Sequence, residues 1–346
     1  MDSRHYTVTI SSKTFIQLLT WAIIIGFAYL VREVLALLFA ALIITAAFDP
    51  LLKWFKDRGI PKPAALMLMY ALIVSSLALA ISLVVPPLSR ELGQIMFNLP
   101  YYYQKISSGL LSWLPDSDIA INNGLNNLNN GILSSVPQVL GTAANIFSAF
   151  VSVGLVMIMT FYFTVEEEGL KKFLKNIVPI NYLPYVTHLF SRIQQRLGYW
   201  LRGQLFLSLI IFVMALIILS AWNVPYAVSL AFLAAMLEVV PVLGPLMAAI
   251  PAGLFAATVS PLTAVGVLGS YVVMQQLENH IIIPKVMSKS IGLNPLVVIV
   301  VILIGARLAG IAGILLAVPV ATAVSIFLED LFDKKTGDEL RLETNE

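Results

Sequence analysis

The sequence predicts an all-α polytopic membrane protein, and three features carry that expectation. Hydrophobic residues fill 59% of the 346 positions and charged residues only 12%, about half of the roughly 25% charge that a water-soluble chain carries. Mean hydropathy is +0.90, so folding in water would expose apolar side chains that hydrocarbon accepts freely. The apolar residues are also gathered into ten segments, at 15–31, 34–48, 64–85, 143–165, 204–221, 226–240, 246–259, 262–277, 296–308 and 311–328. Lipid offers the backbone no hydrogen-bond partner, which selects helix for such segments. Several fall short of the roughly 20 residues that cross a 30 Å hydrocarbon core. About eight to ten hydrophobic segments are therefore expected, two pairs of them forming re-entrant or short helical hairpins.

The first segment follows a polar stretch of 14 residues and ends at Arg32 and Glu33. A signal peptide has a similar outline, but no small-residue cleavage site is present and a second apolar run begins at once, so a retained hairpin is expected. Counting Lys and Arg in alternate loops places 17 on one side and four on the other, together the full 21. That asymmetry predicts a multi-pass protein of a prokaryotic cytoplasmic (inner) membrane with both termini in the cytoplasm.

Residues 1–85 then form a transmembrane frame and 86–142 an external cap. Within the cap, Leu88, Leu92, Ile95, Leu99, Tyr102 and Ile106 step at helical spacing, with a kink at Pro100, before an Asn-rich linker over 122–130. The fourth span, 143–165, leads to cytoplasmic amphipathic helices over 166–203. In the first of these Leu170, Phe173, Leu174 and Ile177 share a face opposite Lys171, Lys172 and Lys175, a pattern suited to an anionic leaflet. In the second, Val186, Leu189, Phe190, Ile193, Leu197 and Trp200 keep the same spacing into the fifth span. Residues 204–330 form the transport core, and 331–346 a cytoplasmic tail.

The core contains two similar units. Asn223 and Pro225 precede an apolar run, then Glu238, Gly244 and Pro251; Asn294 and Pro295 precede another, then Arg307, Gly313 and Pro319. Each is a hairpin after one span, so each unit has three elements and the two point oppositely across the membrane, as in an inverted repeat. If both hairpins are re-entrant their tips meet near mid-membrane, and Glu238 and Arg307 pair or face one polar cavity. A charge at that depth marks a functional site; snorkelling to the interface is the alternative for both residues.

Four strings supply the candidate residues. In Glu238-Val-Val-Pro241-Val-Leu-Gly244-Pro245 two prolines and a glycine break the helix, which frees backbone groups to coordinate a polar solute or ion. Gln275 and Asn279, one turn apart, offer two amides to hydroxylated or cationic cargo, or else glue helix to helix. Arg202, Gly203 and Gln204, after Trp200, form an aromatic and basic anchor with a gating use. Pro284, Gly313 and Pro319 are structural, and Gly244 and Gly313 permit close helix approach. Glu238 is the one carboxylate expected inside a span.

Together the strings resemble the autoinducer-2 exporter (AI-2E) family of membrane transporters. The resemblance rests on Leu201-Arg202-Gly203-Gln204, on Leu237 through Pro245 with Ile250-Pro251, on Gln275 through Asn279 with Ile283-Pro284-Lys285-Val286-Met287, and on Gly310-Ile311-Ala312-Gly313 with Val318-Pro319. It implies a permease that exports the quorum-sensing signal autoinducer-2 or exchanges sodium or lithium for protons. It also implies a homo-oligomer, with a pentamer as the candidate. Arg307 departs from the family, which often carries an uncharged or aromatic residue there.

Gradient-driven export of a small polar solute like autoinducer-2 is the expected function, with sodium (lithium)/proton antiport second and a non-transporting membrane scaffold as the rival of another class. The expected partners are the bilayer and a small polar solute or monovalent cation. Nothing resembles an ATP site. Enzymatic chemistry is not expected: there are no cysteines and three scattered histidines, no Gly-x-Ser-x-Gly string and no metal-ligand spacing, hence no metal and no cofactor. A net charge of +2 gives nucleic acid no field to follow.

Overall fold

A computed structural model describes residues 12–97, 143–166, 176, 178–241, 243–287 and 294–343, and it is helical throughout with no strand among them. The first seven helices described are α1 (Ser12–Leu30), α2 (Arg32–Lys56), α3 (Lys62–Phe97), α4 (Ala143–Val165), α5 (Leu183–Ala221), α6 (Ala227–Leu237) and α7 (Leu243–Val259). Then come α8 (Pro261–Leu277), a π-helical segment Glu278–Ile282, one α-turn Ile283–Val286, and α9 (Pro295–Glu343). All ten apolar segments of the sequence map onto these helices, the one over 226–240 running on into the turn after α6. Helices α2, α3 and α5 are each long and apolar enough to cross a membrane, as is the stretch Leu296–Asp330 taken whole.

That last stretch is in fact a hairpin. Ala309 and Gly310 leave helical geometry, Gly310 with φ 58°, a left-handed value that glycine adopts without strain. A Cβ built on Gly305 would lie 2.8 Å from the Gly313 carbonyl carbon and 3.2 Å from the Cβ of Ala317. Eight residues of straight helix span about 12 Å, so this contact requires the chain to fold back. Glycine at 305 and 313 lets the two arms, 295–308 and 311–343, touch backbone to backbone.

The long α5, 39 residues, is the axis of the bundle. Its membrane portion packs with α6, α7 and α8 around Ala215, Ala231, Ala234, Ala248, Ala252, Ala256 and Phe255. Small side chains suit this layer, because helices in lipid associate by close packing and not by burial from water. On its other flank Leu197, Trp200 and Leu207 meet Ile43 of α2, Met287, and Ile302, Ala317 and Val318 of the α9 hairpin. A third cluster joins α2, α3 and α4 through Phe48, Leu66, Met69 and Tyr70, where the Tyr70 hydroxyl donates to the Met157 carbonyl at 2.7 Å.

Local sequence explains the ends and breaks. Ser260 caps α8 by accepting from the Thr263 amide at 3.0 Å, with Pro261 at the first helical position. Inside α2, Pro50 lacks the N–H that would bond the Ala46 carbonyl four residues back. Arg202 of α5 supplies the missing donor, its Nη1 lying 3.0 Å from Ala46 O and 3.2 Å from Ala47 O. Gly198, one turn earlier, makes the crossing possible, since a Cβ there would come within 2.8 Å of the Ala46 carbonyl carbon.

The expected external cap and its Pro100 kink lie outside the described residues beyond Phe97, as does the helix expected over Leu170 to Ile177.

Candidate functional site

Helix α6 has 11 residues, about 16 Å, and ends inside the bundle. Its last carbonyls and the turn after it are bonded locally: Val239 N–H donates to Met236 O, Val240 N–H to Leu237 O, and Gly244 N–H to Val240 O. A Cβ on Gly244 would run into the Leu237 carbonyl, so glycine closes this turn. Gly244 and Pro245 are buried and Pro241 is half-buried. The Val239, Val240, Leu243 and Gly244 amides are thus already taken locally, and a solute would find fewer free backbone groups here than the two prolines suggest. Besides its backbone, the turn offers a side chain.

That side chain is Glu238, 1% exposed. Its backbone carbonyl accepts from the Gln204 side-chain amide, and its carboxyl lies beside the Gln204 side chain and the carboxyl of Glu278. Glu278 is also 1% exposed and Gln204 2%. The Oε2 atoms of both glutamates are buried without a hydrogen-bond partner. Two carboxyl groups therefore share one enclosed site with an amide beside them.

Three helices deliver these groups to one level. Gln204 lies 17 residues before the end of α5 at Ala221, and Glu278 lies 17 after the start of α8 at Pro261. Each distance is about 25 Å of helix. The two helices are held side by side near these ends, where Trp222, just past α5, donates to Ser270 Oγ at 3.1 Å and its ring covers Gly266, both in the first half of α8. The pair is thus deep in the bundle seen from the Trp222 end. Glu278 opens the π-helical segment, and such one-turn irregularities recur at functional sites.

Arg307 does not join them. It is exposed near the tip of the α9 hairpin, and that hairpin packs on α5 and α2; the carboxyl beside Glu238 is that of Glu278. The expected meeting of the two tips is corrected accordingly: the Gly305–Gly313 contact closes the second hairpin on itself, and Glu238 faces Glu278. The view of Glu238 as the one carboxylate inside a span is corrected by the same finding.

Glu278 was legible in the sequence and overlooked there. The buried face of α8 runs Thr263, Val267, Tyr271, Met274, and the next step of that spacing is Glu278. Gln275 and Asn279, each one residue past that stripe, are half-buried and exposed. Of the remaining candidates, Gly203 packs so closely that a Cβ would lie 2.9 Å from Met287 Sδ. Pro284 is exposed, and Pro319 is buried with Gly313 half-buried beside Gly305. Ser208 Oγ and Tyr271 OH are further buried polar atoms without a partner.

Comparison with known proteins fits this architecture. A family model described as AI-2E family transporter matches residues 18–333. YrrI of Bacillus subtilis, named only as a candidate transport protein, is 25% identical over 305 residues, 86% of each chain. YueF of the same organism, named likewise, is 26% identical over 315 residues, 86% of this chain and 84% of its own. A sodium-lithium/proton antiporter of Halobacillus andaensis is 23% identical over 330 residues, 89% of this chain and 92% of its own.

Proposed function

The chain belongs to the AI-2E transporter family, and on that premise we propose that it is a gradient-driven permease exchanging a monovalent cation, sodium or lithium, for protons at Glu238 and Glu278. The observation that carries the reading is the two buried carboxyls with unpartnered Oε2 atoms. A carboxylate enclosed away from water must be neutralised. The charged group nearest to hand is another carboxyl, so the neutralising charge has to come from outside: a proton, or a cation bound through oxygen ligands. Both use the same oxygens and exclude each other. Alternate occupancy by the two is the minimum requirement of an antiporter.

The site suits a cation better than a hydroxylated signal such as autoinducer-2. A neutral polyol brings no compensating charge and would leave both carboxyls as they are. The similarity to a sodium-lithium/proton antiporter supports the same choice. The membrane is a prokaryotic cytoplasmic membrane and both termini face the cytoplasm, as the Lys and Arg asymmetry supports. On this topology α6 and α7 enter from outside, and Gln204 is the hinge point that fixes the depth of their tip.

Purified protein in proteoliposomes tests the reading. A proton gradient should drive sodium or lithium against its own gradient, and Glu238→Gln and Glu278→Gln should each abolish that coupling. Full proton-coupled flux in Glu238→Gln would overturn the proposal. So would flux of autoinducer-2 with none of sodium or lithium, which would restore the exporter reading.

A further inference from the structure

The crossing of α2 and α5 has a second face. Beside the Gly198–Ala46 contact lies a cavity of about 310 Å³ whose lining is polar: Asp49 and Lys53 from α2, and Ser191, Gln194, Gln195 and Arg202 from α5. On α2 the two charged residues are one turn apart. On α5 the four fall at helical spacing over three turns, a polar stripe on a helix whose opposite flank holds Leu197, Trp200 and Leu207 in the core. Such a stripe at the end of a span calls for a polar neighbour, water or a polar ligand.

Its level in the bundle says what that is. Aromatic and basic residues are concentrated at this end. Arg58 sits 3.4 Å over the Trp54 ring and Arg202 4.9 Å from the Tyr199 ring; Tyr182 and Tyr199 are 64% and 43% exposed. Tyrosine, tryptophan and basic side chains collect where the hydrocarbon meets the headgroups, which is also where phosphate groups lie. The lining provides the donors a phosphate needs: the Lys53 ammonium, the Ser191 hydroxyl, the glutamine amides, and the guanidinium N–H groups of Arg202 beyond the Nη1 held by Ala46 and Ala47. Lys53 and Arg202 against Asp49 leave the charged side chains of the lining net positive.

We propose that this cavity is a phosphate-binding site, filled by the headgroup of a phospholipid or by a small phosphorylated solute from the adjoining water. Basic pockets between transmembrane helices hold lipid phosphates in this way. The site is separate from the carboxyl pair and independent of the cargo. It adjoins it through α5, because Arg202 faces the cavity while Gln204, two residues on, holds Glu238. An occupant that fixes the α2–α5 crossing therefore bears on the depth of Glu238.

The test uses the purified full-length protein, stripped of lipid in detergent. Thermal unfolding and native mass spectrometry follow additions of phosphatidylglycerol, phosphatidylethanolamine, diacylglycerol and inorganic phosphate. Phospholipid is expected to bind and raise the melting temperature while diacylglycerol does neither. Lys53→Gln and Ser191→Ala, both at exposed positions, should each weaken binding about tenfold or more, the loss expected for one contact to a charged group, with the ligand-free melting temperature unchanged. Saturation by inorganic phosphate at millimolar concentration, with phospholipid no better, identifies the soluble source and upholds the site. Equal effects of diacylglycerol and phospholipid, or binding indifferent to both substitutions, would overturn it. Cation flux plays no part in this readout, so its outcome is distinguishable from that of the antiport assay.

Discussion

The side-chain amide of Gln204 donates to the backbone carbonyl of Glu238, tying the inner end of α6 to the middle of α5. The bond holds the end of α6 at this level of the bundle. Helix α6 ends at that residue, and without the donor from α5 a buried acceptor loses its side-chain partner.

Replacing Gln204 with Leu keeps the volume roughly constant and removes the donor. An unsatisfied buried carbonyl costs about 1–3 kcal/mol, so thermal unfolding in detergent should occur several degrees lower. Gln204→Glu, which retains an acceptor in place of the amide and adds a third carboxyl, should be worse than Leu. A melting temperature in Gln204→Leu equal to that of the parent protein would contradict the role given to this bond.

Glu238 and Glu278 act as one unit in the proposed exchange, so their substitutions should not add. Each single Gln variant is expected to lose proton-coupled sodium or lithium flux by more than about tenfold, and the double variant should be no worse than the more impaired single one, the signature of groups in direct contact. Proteoliposome flux measured on all three variants gives the comparison. Two independent, multiplying losses would place the carboxyls in separate roles.

The junction of α2 and α5 offers a rescue experiment. Arg202→Leu leaves the Ala46 carbonyl without a donor, because Pro50 has none to give. Adding Pro50→Ala restores an N–H at the required position and a regular helix with it. The double variant should therefore be more stable than Arg202→Leu by about 1 kcal/mol or more, read from denaturation in mild detergent. An equal or lower stability would mean that Arg202 serves another purpose.

Glycines differ sharply in what they tolerate. Gly305→Val would press a branched side chain onto the Gly313 carbonyl and the Ala317 methyl, opening the second hairpin at a cost of about 1–3 kcal/mol or more. Gly198→Ala should also destabilise, since its Cβ meets the Ala46 carbonyl. Gly269 lies within α8 with nothing within 4 Å of an added Cβ, so Gly269→Ala should be neutral or should stabilise by about 0.5–1 kcal/mol. Expression level and melting temperature of the three variants check the order.

Much of the candidate site was within reach of the sequence, and the part that was missed is instructive. The string from Glu238 to Pro245 announced a broken helix with a charge at its edge. Gln204 stood out among the Arg202-Gly203-Gln204 run. Glu278 lay in a polar string whose amides drew attention first, although the buried stripe through Tyr271 and Met274 reaches Glu278 and passes beside Gln275 and Asn279. Arg307 misled for the opposite reason. It occupies the position in the second unit that Glu238 occupies in the first, but correspondence in an internal repeat fixes which residues are equivalent, not which ones touch.

The sequence by itself determined that this chain lives in a bilayer as a set of helices, where their apolar segments lie, and which family it belongs to. Those properties depend on local composition and spacing, because a backbone in lipid must satisfy itself within each segment. Only the tertiary structure decided that two carboxyls meet and that an arginine stays apart. Contact between residues 238 and 278 depends on how deep a short helix stops and how neighbouring helices are rotated. Both are set by small-residue packing at Gly198, Gly203, Gly244 and Gly305 and by the Gln204 bond, and no run of residues read along the chain contains them.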